Sequence, residues 1–219
     1  MPFETSYRES CTVQLAFALL LRDRYARTDE LVGDVAVKAG SVEAIRKPGS
    51  PGSFLFLSLA PGAYTLSVAC GKWTPFYRPV SIPVTVPAPP ATWPAYPDVT
   101  LANRNLPLDD ASQPPAFRDQ FALASLLPAT QYPFDNGATL VRGTVTHAGG
   151  KLADATVSRV GGDEISYLTG ADGEFVLFFE KSTGVPQPVT IRVTHAGLAD
   201  KDQNVTVVRG ATVISNVDV

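Results

Sequence analysis

His147 and His195 are the chain's two histidines, and both sit in the same tetrapeptide, "THAG". A repeated histidine invites a metal site, because a neutral imidazole is a common metal ligand. A structural zinc site needs about four nitrogen or sulfur ligands. The chain adds two cysteines, Cys11 and Cys70, with no Cys-x-x-Cys and no Cys/His cluster, so zinc is excluded on ligand count. The plainer reading is that each His begins a strand-end turn and that Ala-Gly supplies the bend. The acidic residues are as sparse. "TGADGEF", residues 169–175, places Asp172 near Asp163 and Glu164. Calcium takes six or more oxygens from a denser loop, and Asp before Gly is a common β-turn. Asp109 and Asp110 suit a solvated loop or a helix cap. No Gly-x-Ser-x-Gly elbow and no phosphate-cradling glycine loop follows a strand. The expectation is a chain with no catalytic set, no metal and no cofactor.

The 219 residues suffice for one large or two small domains. The chain is 45% hydrophobic but only 18% charged, against roughly 25% charged in an average soluble protein. The net charge of −3 and the absence of a basic stripe exclude nucleic acid as the expected partner. Nineteen prolines and seventeen glycines are spread as punctuation, the mark of many short segments. At the N-terminus Glu4, Arg8 and Glu9 precede an apolar run that Gln14 interrupts. That order reads as a first strand rather than an export signal. No apolar run approaches a membrane span of about 20 residues. Cytoplasmic location is therefore expected, and there Cys11 and Cys70 are read as two reduced thiols rather than a pair.

The elements that must position any site read as strands. "FLFLSLAPGAYTLSVAC", residues 54–70, suggests a β-hairpin: Phe54 and Phe56 lead in, Pro61-Gly62 turns, and Tyr64, Leu66 and Val68 alternate. A second such device spans residues 169–197, and "EISYLTGADGEFVLFF" reads as a hairpin about Asp172-Gly173. The prolines of "YRPVSIPVTVP" suit an edge strand. Residues 1–88 and 139–219 thus form two tandem antiparallel β-sandwiches, Ig-like in strand count. The Pro-rich connection 89–138 is expected to contain one short helix, since Phe117, Phe121, Leu123 and Leu127 fall near helical spacing between Pro115 and Pro128. A connection this long and apolar is more than a tether. Trp93, Tyr96, Phe117, Phe121 and Phe134 are its candidate partner-binding residues.

The C-terminal module, residues 140–219, resembles the carboxypeptidase regulatory-like domain, a transthyretin-like sandwich. The matching residues are Gly143-Thr144-Val145, Leu152 to Val157, and Thr169 to Phe175. The first module shares only the hairpin pattern of residues 54–68. The resemblance implies a sandwich with an accessory role and no catalytic residues. Two enzyme families on related folds do not fit. Transthyretin-like hydrolases end in Tyr-Arg-Gly-Ser, whereas this chain ends "SNVDV". Intradiol dioxygenases need a closely spaced histidine pair, and His147 and His195 are 48 positions apart.

The expected function is therefore contact rather than catalysis. The first reading is a structural or adaptor subunit of a cytoplasmically assembled particle, of the phage-tail or contractile-injection type. Its partners would be other subunits or copies of itself. The alternative is a carbohydrate-binding or surface-adhesion module, with Trp73, Tyr77, Trp93 and Tyr96 as an aromatic platform. The competing role for those aromatics is to clamp the Pro-rich connection onto module one.

Overall fold

The computed structural model describes residues 15–57, 59–71, 75–88, 120–161, 167–179 and 185–219. Those residues contain strands and turns and no helix. The chain divides into two compact units. The first is Met1–Gly71 with Pro79–Leu126, and the second is Lys72–Arg78 with Leu127–Val219. A short piece between two strands of the first unit therefore belongs to the second.

In the first unit, β1 (Phe17–Asp23), β4 (Ile45–Arg46), β5 (Ser53–Phe56) and β8 (Phe121–Leu126) form one sheet in the order β4-β5-β1-β8. Strand β5 runs antiparallel to β1, and β8 runs parallel to it. The second sheet is β3 (Val42–Glu43), β2 (Val35–Ala39), β6 (Gly62–Cys70) and β7 (Val80–Val86), all antiparallel. Period-two alternation sends Phe17, Leu19, Leu21, Phe54 and Phe56 of one sheet, and Val35, Val37, Leu66 and Val68 of the other, into the core. Each such side chain contributes about 1.5–3 kcal/mol on burial. Strand β1 ends in Asp23, itself buried, whose carboxylate Oδ1 accepts from the backbone N–H groups of Tyr25 (2.8 Å) and Ala26 (2.9 Å). Those bonds hold the turn that the polar exit "RDRYART" makes.

The second unit repeats the arrangement. Strands β9 (Leu140–His147), β10 (Gly150–Lys151), β13 (Glu174–Phe178), β16 (Thr212–Ile214) and β17 (Val217–Asp218) form one sheet. There β13 is antiparallel to β9, and β16 and β17 are parallel to it. The other sheet runs β12 (Tyr167–Leu168), β11 (Thr156–Arg159), β14 (Gln187–Thr194), β15 (Lys201–Val207). The central triplet β5-β1-β8 thus recurs as β13-β9-β16, with the same directions. The four-strand order β3-β2-β6-β7 recurs as β12-β11-β14-β15.

Three sequence-based expectations change. Residues 54–70 are not a hairpin, because β5 pairs in one sheet and β6 in the other. The Asp172-Gly173 turn likewise joins β12 and β13 of different sheets. Each is a crossing between sheets, and local alternation cannot tell a crossing from a hairpin. The helix expected across Phe121, Leu123 and Leu127 is also absent over residues 121–126, which are β8. The core-facing positions of β8 are Ala122, Ala124 and Leu126, all good helix formers. Pairing in register with six residues of β1, from Ala18 to Asp23, outweighs that propensity. Finally, the 89–138 connection is shorter than expected at its far end: residues 120–126 belong to the first unit and 127–138 to the second.

Candidate functional site

The residues that could do chemistry are engaged in holding the fold. His147 ends β9, and its Nδ1 bonds the main-chain oxygen of Val219. His195 starts the β14–β15 turn, its carbonyl accepting from Leu198 N–H at 3.1 Å. The two "THAG" copies are both turns, with Gly149 and Gly197 at φ of 79° and 84°. Asp172 Oδ1 accepts from Glu174 N–H at 3.1 Å, which closes the tight turn before β13. Among the described residues, no group of three or more His, Cys, Asp or Glu is placed to hold a metal ion.

The motif that suggested a regulatory-like domain is explained by packing. The Thr169 hydroxyl donates to Leu152 O (2.8 Å) and accepts from Ala155 N–H (2.9 Å). It pins two of the matching segments together in a buried site. Gly143 has no room for a side chain, since a Cβ there would lie 1.8 Å from Ser215 O. Gly173 combines a φ of +69° with a Cβ position 2.5 Å from Val145 O. Thr169 is the residue that the sequence reading missed; its hydroxyl bridges segments distant in sequence, and no local pattern marks it.

Of the candidate partner-binding residues, Trp93, Tyr96 and Phe117 lie outside the described residues, as do Trp73 and Cys11. Cys70 closes β6 half-buried. Tyr77 is fully buried in the second unit, with Tyr132 at 5.6 Å between ring centroids, so it cannot serve in an exposed platform. Phe134 is half-buried in the same unit. It meets Tyr132 edge-on at 4.8 Å and Phe178 at 6.3 Å, with the Arg142 guanidinium 5.4 Å over its ring. Nearby, the Arg78 guanidinium lies 4.7 Å over the Tyr167 ring. Burial raises the Tyr167 phenol above its ordinary value near 10, and Arg78 and a hydrogen bond with Thr130 pull the other way. Phe134 thus packs on its own module, as one of the sequence-based expectations for this segment had it.

Phe121 is the candidate that reaches a surface. Core-facing Phe17, Leu19, Phe54 and Phe56 occupy one face of the β4-β5-β1-β8 sheet. The opposite face carries an in-register row, Ile45–Leu55–Ala18–Phe121, one residue from each strand. Beside it Leu20 pairs with Leu123. Ala18 is buried and Leu20, Leu55 and Phe121 are half-buried, while Ile45 and Leu123 are 53% and 50% exposed. No described segment lies over this row. Arg22 is the next residue on the same face of β1 and is exposed. An apolar row crossing all four strands, on the side away from the core, is the strongest site the described residues offer.

No family model matches the chain, and no curated protein matches it. Among solved structures it aligns with the Bacillus anthracis TIE protein at 12% identity and a TM-score of 0.30, covering 94% of this chain and 34% of that one. It aligns with a Streptococcal ancillary pilin at 11% and 0.27, covering 92% and 61%. A third alignment is with CBMbc, of family CBM26, from Eubacterium rectale Amy13K, solved with maltoheptaose, at 11% and 0.24, covering 92% and 91%. The chain spans about a third of the first and less than two thirds of the second. Similarity at this level carries no argument about function.

Proposed function

We propose that the chain is a non-catalytic binding protein built from two tandem β-sandwiches of the Ig-like or transthyretin-like kind. The outer face of the β4-β5-β1-β8 sheet is its contact surface for another protein. The observation that carries this reading is the apolar row Ile45–Leu55–Ala18–Phe121, with Leu20 and Leu123 beside it. A sheet face turned to water normally alternates to polar residues. Here the alternation gives apolar side chains on both faces, which is the pattern of a strand covered on both sides. The finer role expected from the sequence, a subunit of a particle assembled in the cytoplasm, supplies the class of partner. A regulatory-like domain in the second unit would serve as its accessory module. The glycan-binding alternative needs an exposed aromatic platform, and Tyr77 does not contribute to one.

The test compares native mass by light scattering, and co-purification from the host, for the wild-type protein and Leu123→Lys. The exposed position makes the lysine tolerable to the fold, so the melting temperature should stay within about 2 °C, as for an ordinary surface change. A charge placed in an apolar contact should weaken a defined partner complex at least about tenfold. A complex that survives Leu123→Lys unchanged would move the contact surface elsewhere.

A further inference from the structure

The second unit shows what covers the corresponding face. In its β13-β9-β16 triplet, Val141, Phe175 and Leu177 point into the core, and Leu140, Arg142, Val176 and Phe178 take the other side. Yet Leu140 and Val176 are only 4% and 2% exposed. The cover is the extended segment before β9. Arg142 Nη1 donates to Thr130 O at 2.6 Å, and Phe134 lies between Arg142 and Phe178. Tyr132 stacks edge-on against Phe134 and is itself buried. Phe179 N–H donates to Thr139 O at 3.0 Å, which ties the end of the segment to the edge of β13. The covering sequence is "PATQYPF", residues 128–134: two aromatic rings separated by a proline in an extended chain. The matching face of the first unit has the same strand order, an apolar row, and an exposed arginine, Arg22, on the same side.

We propose, building on the contact surface assigned above, that the partner segment for the first unit's outer face is an extended, proline-interrupted stretch of another protein bearing two aromatic side chains, the chemistry that residues 128–134 present to the second unit. The rings lie along Ile45, Leu55, Phe121 and Leu123. Arg22 donates to a main-chain carbonyl of the bound segment, as Arg142 does to Thr130. Proline lowers the ordering cost of such a segment by restricting it before binding.

The experiment titrates the full-length protein, carrying labelled methyl groups, with the synthetic peptide of residues 128–134, capped at both ends. Saturable shifts at the methyls of Ile45, Leu55 and Leu123 are expected. Leu123→Lys should weaken them at least about tenfold, and a peptide with both aromatics replaced by alanine should produce none. No shift at those methyls at millimolar peptide overturns the proposal, whether the face has another partner or is already covered by this chain. Shifts at Leu140 and Val176 instead, from exchange with the resident segment, overturn it as well. A native mass that doubles, is lost in Leu123→Lys and is indifferent to the peptide would uphold the contact surface and reject this partner class.

Discussion

The two units place the same three strands, β5-β1-β8 and β13-β9-β16, at the centre of one sheet, yet they treat its outer face differently. In the second unit Tyr132 and Phe134 are laid over it, so Val176 and Leu140 are buried although they point away from the core. In the first, Ile45 and Leu123 stand about half exposed with no described segment above them. The strands differ as well. Strand β8 pairs with β1 without interruption from Ala18 to Asp23. The equivalent pairing to β9 breaks into β16 and β17 around Gly143, where Ser215 O packs against the glycine and Asn216 Oδ1 accepts from Thr144 N–H at 3.0 Å. One copy of the design is closed over itself. The other keeps a face that only an added chain could close, and that asymmetry is the basis for assigning the contact to the first unit.

Gly143→Val attacks the closed copy at its break. A side chain aimed into the Ser215 carbonyl should cost at least about 3 kcal/mol, in the range reserved for overpacking and backbone strain. Hydrogen exchange should show protection lost in β9, β16 and β17 while β1 and β8 keep theirs. Equal loss in both units would mean that the copies do not unfold separately. Phe134→Ala uncovers the second unit's face and should cost roughly 2–4 kcal/mol, as for an aromatic removed from a packed but half-open site. It should also create binding of an apolar dye that Leu123→Lys does not. If Phe134→Ala leaves stability untouched, the two faces are less different than their exposure suggests. The smallest effect is alkaline. The folded-state pKa of Tyr167 is raised, chiefly by burial, so the folded protein holds its phenolic proton more tightly than the unfolded chain. That contribution is complete below the ordinary phenol value near 10 and is lost as pH climbs through the higher folded value. Stability of the second unit should therefore fall more steeply above pH ~10 in the wild type than in Tyr167→Phe, measured by urea melts across that range.

Much of this was legible in the residues and some was not. The alternation of Phe17, Leu19 and Leu21, and of Leu66 and Val68, announced strands because period two is a local signal. The likeness of residues 54–70 to residues 169–197 pointed to a real equivalence, since β5-β6 and β13-β14 hold corresponding places in the two units. That these pairs cross between sheets was hidden, because a crossing and a hairpin share the same turn chemistry. Strand β8 was masked by Ala122 and Ala124, whose propensity favours a helix and whose pairing to β1 is set by the rest of the fold. Phe121 was marked as a contact residue for the wrong local reason, as part of a helix; it reaches the surface on a strand. Tyr77 looked like a surface aromatic next to Trp73 and is fully enclosed instead.

That enclosure has a consequence for cutting the chain. Tyr77 lies between β6 and β7 in sequence, and its neighbours Phe76 and Arg78 exchange main-chain bonds with Ala129 and Leu127 at 2.8 and 3.0 Å. A single nick after Leu126 would sever the backbone but leave the N-terminal piece holding an enclosed tyrosine of the other unit. The two pieces would travel together as a complemented pair, and residues 127–219 made alone would carry a tyrosine-shaped vacancy in their packing.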